Sequence, residues 1–302
     1  MAENTLFGRI IKSTGGLYTV ETENAQIFEC RAKGTFKKEK LTPLTGDNVE
    51  FLAFEDKSGF ITDIKDRKNE FVRPAVANVD TFIIVIASAK PEPDLYVLDK
   101  LTAVARFANA DVLLLINKCD IKNADELKRI YLNAGIDTVC LSAAKIEENQ
   151  TIFEEIREKT SGKICFFSGA SGVGKTSILN ALYPGLELRT GEISRKISRG
   201  KHTTRVSRLF KVGENTYIGD TPGFGLVDVA AFNMLTLDGL LSSFPDIEKY
   251  AHDCKYTDCT HLCEEGCSVM KALEDGKIEK TRHESYVKLY GELKKIKPWN
   301  NK

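Results

Sequence analysis

Apolar and polar positions alternate along this chain in two distinct rhythms. Across residues 1–72, short apolar runs at 8–11, 17–20, 25–30, 48–52 and 59–62 are separated by turn residues. The separators are Thr14-Gly15-Gly16, Pro43, Thr45-Gly46-Asp47 and Ser58-Gly59. Runs bounded this way predict strands. Five of them in about seventy residues predict a small closed barrel, with an OB-fold first and an SH3-like barrel as the alternative. The string Phe71-Val72-Arg73-Pro74-Ala75 reads as a connector, and the rhythm then changes. Residues 81–87 are almost continuously apolar, as a strand covered on both faces of a parallel sheet requires. Pro93-Asp94 opens a helix with Leu95, Leu98, Thr102 and Ala105 on one stripe. Strands at 112–116, 138–141 and 164–167 alternate with helices at 124–133 and 151–159. That alternation predicts a doubly wound α/β domain.

Chemistry-bearing motifs follow directly on these strands, where such sheets bind ligands. The run Gly169-Ala170-Ser171-Gly172-Val173-Gly174-Lys175-Thr176 sits between strand 164–167 and a helical stretch beginning at Ser177. This is the context a phosphate-binding loop needs. Its glycines let backbone N–H groups surround phosphates, and the helix N-terminus adds its dipole. Lys175 is placed to reach the β- and γ-phosphates, and the Thr176 hydroxyl to coordinate Mg²⁺. Asn117-Lys118-Cys119-Asp120 ends another strand. A carboxylate at Asp120 accepts from guanine N1–H and the exocyclic amine, a pair adenine does not present. Asn117 would tie the loop together, the Lys118 stem would lie over the base, and Ser142-Ala143 would touch the base through backbone groups. Asp220-Thr221-Pro222-Gly223 completes the set: Asp220 would hold Mg²⁺ through water, and the Gly223 N–H would sense the γ-phosphate.

The order of these motifs is unusual. The base-reading box precedes the phosphate loop, whereas an ordinary GTPase has the reverse, so the chain reads as circularly permuted. Between the phosphate loop and Asp220 lies Arg199-Gly200-Lys201-His202-Thr203-Thr204-Arg205, in the place of switch I. Thr204, or its neighbour Thr203, would complete the Mg²⁺ shell, and His202 is the nearest group to position water. Phe224 stands where many GTPases carry a water-orienting Gln, and an apolar ring cannot polarise water. From 193 to 213 seven basic residues occur with no acidic ones. That segment reads either as a solvated loop or as a switch ordered against RNA phosphates.

Composition adds three constraints. Formal net charge is zero, so any nucleic-acid affinity must come from local patches. Lys33, Lys37, Lys38 and Lys40 form one such patch, in the longest gap between the N-terminal strands. The longest apolar run is too short to span a bilayer, and Met1-Ala2-Glu3-Asn4 does not open a signal peptide, so a cytoplasmic protein with no membrane partner is expected. Of eight cysteines, Cys30, Cys119, Cys140 and Cys165 are dispersed and read most simply as small buried hydrophobes in a reducing compartment. The others crowd into residues 254–267. Cys254, Cys259, His261 and Cys267 offer three thiolates and an imidazole, enough for a closed tetrahedral structural Zn²⁺ site, with Cys263 as a substitute ligand. A short C-terminal domain with little core would be stabilised by that metal.

Taken together, the permuted motifs, the N-terminal barrel, Gly200-Lys201-His202-Thr203-Thr204 and the Cys/His cluster resemble the circularly permuted, ribosome-associated GTPases of the RsgA (YjeQ) type. The likeness runs over essentially the whole chain. It implies an OB-fold domain at 1–72, a circularly permuted P-loop GTPase domain of α/β class at 73–229, and a small zinc-binding helical domain at 230–302. It implies a late-assembly factor of the 30S ribosomal subunit that grips 16S ribosomal RNA and is stimulated by the subunit. It further implies His202 as the residue serving hydrolysis. The permuted order adds an expectation of its own, that the GTP form binds the subunit and the GDP form releases it. The protein is expected to act as a monomer. Two rivals are a nucleotide-gated RNA-binding scaffold, which Phe224 favours, and a permuted GTPase of the large subunit, against which the barrel and Cys/His cluster argue.

Overall fold

Alternation along the first five strands dictates a barrel with one set of side chains inside. A computed structural model describes residues 4–34, 36, 41–71, 75–186, 208–220 and 235–296. In it, β1 (Asn4–Thr14), β2 (Leu17–Glu21), β4 (Asn48–Ala53) and β5 (Ser58–Ile64) follow the expected positions with longer ends, while β3 (Ile27–Ala32) starts and stops two residues later than expected. Phe28 and Cys30 of β3 point inward while Ile27, Glu29 and Arg31 face out, the period-two pattern of a half-buried strand. The interior is filled by Ile10, Tyr18, Val20, Val49, Phe51 and Ile61. β1 pairs antiparallel with β2, β2 with β3, and β4 with β5, while β3 and β5 run parallel. β4 returns to β1 in the register Asn4↔Ala53 to Arg9↔Asn48, which closes the barrel. The parallel β3–β5 contact and this closure are OB-fold topology and set aside the SH3-like alternative.

The exit from the barrel is more structured than a connector. Arg67 forks onto the fully buried Asp47, with Nε to Oδ1 at 2.7 Å and Nη2 to Oδ2 at 2.8 Å. The guanidinium also donates to the Thr42 carbonyl, so it pins the turn that leads into β4. Two short strands, β6 (Glu70–Phe71) and β7 (Val76–Ala77), then pair antiparallel where a plain linker was expected. Apolar periodicity does not report a pairing of only two residues with two, Glu70 with Ala77 and Phe71 with Val76.

The remaining elements are β8 (Thr81–Ala87), α1 (Leu95–Phe107), β9 (Asp111–Asn117), α2 (Asp125–Asn133), β10 (Asp137–Cys140), α3 (Gln150–Thr160), β11 (Ile164–Ser168), α4 (Lys175–Leu182), β12 (Arg208–Gly213) and β13 (Thr216–Asp220), followed by α5 (Pro245–Glu248), α6 (Ser268–Glu274) and α7 (Lys280–Leu293). Asp94 caps α1 by accepting from the Val97 N–H at 3.1 Å. A cap of this kind is worth about 1 kcal/mol. Among the described residues no helix is long and apolar enough to cross a membrane.

The chain forms two compact units, and the cut between them passes through the phosphate loop. The first contains residues 1–83, 150–171 and 175–224. In it, β11 and β13 are parallel, β12 is antiparallel to β13, and β12 meets the barrel's own β1 at Lys12↔Arg208. A hydrogen bond from the Tyr217 hydroxyl to Glu21 at 2.6 Å and the Arg9 guanidinium 4.7 Å from the Tyr217 ring centre reinforce that junction. The second unit contains residues 84–149, 172–174 and 225–302. Its strands follow the order β10–β9–β8, with β9 and β10 parallel in the register Leu113↔Asp137 to Ile116↔Cys140.

One sequence reading needs correction. The basic segment at 193–213 does not run as a loop to its end, because residues 208–213 form β12. Lys211 there approaches Glu21 at 3.8 Å, and Leu209 is buried. The C-terminal segment also has more interior than expected: Leu240, Phe244, Ile247, Val269, Tyr286 and Leu289 are all buried.

Candidate functional site

Strand ends place the loops. β9 delivers Asn117, whose side chain is only 3% exposed. Its Nδ2 donates to the Val173 carbonyl at 2.8 Å, and its Oδ1 accepts from the Ala143 N–H at 2.9 Å. One amide thus joins three motifs: the box at 117–120, the loop at 142–143, and the phosphate-loop stretch 172–174. An amide suits this role because it carries a donor and an acceptor on one rigid plane. Gly174, at φ +98°, is needed beside it. A Cβ there would lie 2.2 Å from Asn117 Nδ2.

The next residue, Lys118, adopts a left-handed conformation at φ +66°. Its ammonium donates to the Lys90 carbonyl at 2.5 Å, and its own carbonyl accepts from the Ser88 hydroxyl at 2.7 Å. Those bonds fix the loop, leaving Asp120 exposed at its end. Ser142 is buried, and its N–H donates to Asn149 Oδ1 at 3.2 Å.

In the first unit, β11 runs into Gly169, Ala170 and Ser171, and α4 begins at Lys175. The first N–H groups of α4, including those of Thr176 and Ser177, have no partner within the helix. Such a helix start favours an anion. The Lys175 ammonium donates to the Gly169 and Ala170 carbonyls at 2.6 and 2.9 Å, so the cation is held against the loop's own backbone. β13 lies parallel to β11 with Asp220 opposite Phe167. The backbone therefore brings the start of Asp220-Thr221-Pro222-Gly223 beside the entry to the phosphate loop. His202, Thr203, Thr204, Gly223 and Phe224 lie outside the described residues.

The second cluster is metric. Cys254 Sγ, Cys259 Sγ, His261 Nδ1 and Cys267 Sγ all lie within 4.8 Å of one another. Cys254 and Cys267 sulfurs are 3.8 Å apart, and His261 Nδ1 stands 3.5 and 3.7 Å from them. Bonds of about 2.3 Å to sulfur and 2.0 Å to nitrogen give tetrahedral edges of about 3.5–3.8 Å, so the donor set fits Zn²⁺. Cys263, the substitute ligand considered from the sequence, is exposed and stands outside this group of four. Burial lowers the pKa of His261 and so favours the neutral imidazole a metal requires. Between two of the ligands, Glu264 accepts N–H bonds from Thr260, Leu262 and Cys263 at 2.8, 2.9 and 3.1 Å. Burial works against its ionised form, yet the hydrogen bonds hold the carboxyl at about 2.

Sequence reasoning missed what supports these loops. Ser88 and the Lys90 carbonyl carry no motif, and their contacts to Lys118 arise only when β8 and β9 lie side by side. His283 Nε2 and the His261 carbonyl, 2.8 Å apart, are equally invisible along the chain.

Comparison with known proteins agrees with this layout. A profile described as RsgA GTPase matches residues 64–230, and one described as RsgA N-terminal domain matches residues 7–61. The small ribosomal subunit biogenesis GTPase RsgA of Alkaliphilus metalliredigens is 39% identical over 294 residues, covering 95% of this chain and 98% of that relative. Its namesake from Ruminiclostridium cellulolyticum is 38% identical over 300 residues, with 98% and 96% covered. Among solved structures, YjeQ from Thermotoga maritima gives a TM-score of 0.81 at 33% identity, with 97% of this chain and 100% of that one covered. YloQ, described as a circularly permuted GTPase, gives 0.76 at 31% identity, with 98% and 97% covered. Alike nearly end to end in sequence and fold, this chain belongs to the RsgA GTPase family of circularly permuted GTPases.

Proposed function

We propose that this GTPase serves late assembly of the small ribosomal subunit, binding the 30S particle through 16S rRNA in its GTP form and leaving once GTP is hydrolysed. The observation that carries the nucleotide site is the Asn117 side chain, which couples the base-reading loop to both Ala143 and the phosphate-loop residue Val173. The ribosomal role draws on relatives named as small ribosomal subunit biogenesis GTPases. In this reading Asn117, Lys118, Cys119, Asp120, Ser142 and Ala143 hold the guanine. Residues 169–177 wrap the phosphates, with Lys175 as the counter-charge. Thr176, Thr204 and Asp220 hold Mg²⁺, which when bound neutralises charge on the β- and γ-phosphates. The Gly223 N–H follows the γ-phosphate, and His202 orients water in place of the missing Gln. Cys254, Cys259, His261 and Cys267 hold one structural zinc.

The three-domain division at 72 and 229 goes with this mechanism. In sequence, Gly223 and Phe224 are followed directly by the segment that bears the clustered cysteines. Movement at Gly223 on hydrolysis is thereby passed to an RNA-gripping module by a short covalent lever. The protein acts as a cytoplasmic monomer.

Sedimentation with 30S and 50S subunits, in GDP or a non-hydrolysable GTP analogue, tests this. Selective association with 30S in the analogue state is expected, together with faster turnover when 30S is added. Equal affinity in both nucleotide states contradicts the cycle, because a ligand without differential affinity shifts nothing. Turnover indifferent to 30S would favour the scaffold reading that Phe224 supports. In the same assay His202→Ala should lower stimulated turnover by about 10²-fold while nucleotide affinity is kept.

A further inference from the structure

The four dispersed cysteines are not alike. Cys30 and Cys165 are buried, and burial pushes both thiols up to about 12, so they are inert. Cys119 and Cys140 are only half-buried. β10 runs parallel to β9 with Cys140 opposite Ile116. The chain after β9 then folds back over the end of β10: Leu141 N–H donates to the Ile116 carbonyl at 2.9 Å, and Cys119 N–H donates to the Leu141 carbonyl at 3.2 Å. That return brings the Cys119 thiol beside the Cys140 thiol. Hydrogen bonding from Cys140 outweighs burial, with smaller help from the Leu141 and Ser88 neighbours, and holds the Cys119 thiol down at about 7. The same bond and burial push Cys140 up. The lowered thiol favours the thiolate, the nucleophilic form, at Cys119, with the Cys140 thiol next to it.

We propose that Cys119 and Cys140 are a peroxide-responsive dithiol whose closure to a disulfide loosens guanine-nucleotide binding. The Cys119 thiolate attacks one oxygen of hydrogen peroxide. The O–O bond breaks, and the departing hydroxide takes up a proton to become water, leaving a sulfenic acid. The Cys140 sulfur attacks that sulfur, the S–O bond breaks, and the second hydroxide leaves with the thiol proton as water. Two thiols are oxidised and one peroxide is reduced to two waters. The low thiol marks Cys119 as the attacking residue and Cys140 as the resolving one.

The consequence for binding rests on the reading of residues 117–120 as the guanine loop. When it carries its proton, Cys119 Sγ donates to the Ile116 carbonyl at 3.2 Å. A disulfide needs an S–S bond of about 2.05 Å and a defined dihedral, so that bond is given up and the backbone is drawn toward β10. Lys118, held left-handed on one side, and Asp120 on the other move with it. Disulfides in reducing compartments are typically transient and redox-sensing, which suits a reversible brake.

The test uses the full-length, zinc-loaded protein with hydrogen peroxide as the probe. Fluorescent GDP affinity, peptide mapping of crosslinks and zinc content are measured before and after treatment. A Cys119–Cys140 crosslink is expected at unchanged zinc content, with GDP binding at least about tenfold weaker and restored by dithiothreitol. Cys140→Ser should bind GDP normally when reduced and keep that affinity after peroxide. Absence of the crosslink, a crosslink with unchanged affinity, or equal weakening in Cys140→Ser each overturns the dithiol. Failure of the reduced protein to bind GDP at all would instead sink the guanine-loop reading beneath it.

Discussion

Gly174→Ala is expected to weaken GDP and GTP binding by about 10²–10³-fold in a fluorescence titration, with the chain still folded. Two costs add at this position. Gly174 sits at φ +98°, where an L side chain is strained by about 1–2 kcal/mol. The new Cβ would also lie 2.2 Å from Asn117 Nδ2, so the amide must swing away. It then loses the Val173 carbonyl and its hold on the Ala143 N–H, buried partners worth about 1–3 kcal/mol. The sum is about 2–5 kcal/mol borne by the loops, and each 1.4 kcal/mol is about tenfold in affinity. Gly172→Ala is the control: it also has positive φ, but its Cβ would meet nothing nearer than Pro91 at 3.9 Å. Its loss should be about tenfold or less, from strain alone. Equal losses for the two variants would show that the clash with Asn117 is not the cause.

Arg282→Met should destabilise the protein by about 3–5 kcal/mol in urea unfolding, the largest stability effect expected of any single replacement considered. Arg282, at 1% exposure, forks onto Asp246 with bonds of 3.0 and 2.9 Å and donates to Asp99 at 2.7 Å. Tyr131 adds a hydroxyl to the same Asp99 oxygen at 3.0 Å, and the guanidinium lies 4.5 Å from the Phe244 ring centre. The network therefore ties α7 to α1, α2 and α5 through charges that no water reaches. Methionine fills the volume but leaves two carboxylates buried without a cation. Replacing Arg282, Asp99 and Asp246 together with apolar residues of similar size should recover most of the loss, since a buried ionic group is costly mainly when broken. His283, the next residue, meets the His261 carbonyl, so Arg282→Met should also release zinc to a chelator faster. A single variant as stable as the parent would show that the network contributes nothing net.

How much of this was written locally in the chain can be judged element by element. Barrel strands, β8 and α1 carry their own signal, because period-two alternation, a two-faced apolar run and Asp94 before an apolar stripe are read within a few residues. The loop motifs are written just as locally, since Gly172, Gly174, Lys175 and Asp120 are read from what phosphates and guanine would demand. The strand β12 was obscured because Arg208 and Lys211 gave it the look of a charged loop, although Leu209 faces the interior. Asn117 was assigned to its own loop, yet it bonds Val173, 56 positions away. Nothing local in the sequence singles out Arg282, whose two carboxylate partners lie 36 and 183 positions away. The Cys119–Cys140 encounter has the same origin: strand pairing makes neighbours of residues that are distant in sequence.

The central claim is that a base-reading box placed before the phosphate loop still selects guanine. Nucleotide competition against Asp120→Asn measures it most directly. Replacing the carboxylate by an amide exchanges an acceptor for a donor, which suits the carbonyl of xanthine where guanine has its amine. Preference for GTP over xanthosine triphosphate should fall by at least about 10²-fold and invert, as expected when buried polar groups are mismatched. An unchanged preference for GTP would mean that Asp120 does not read the base.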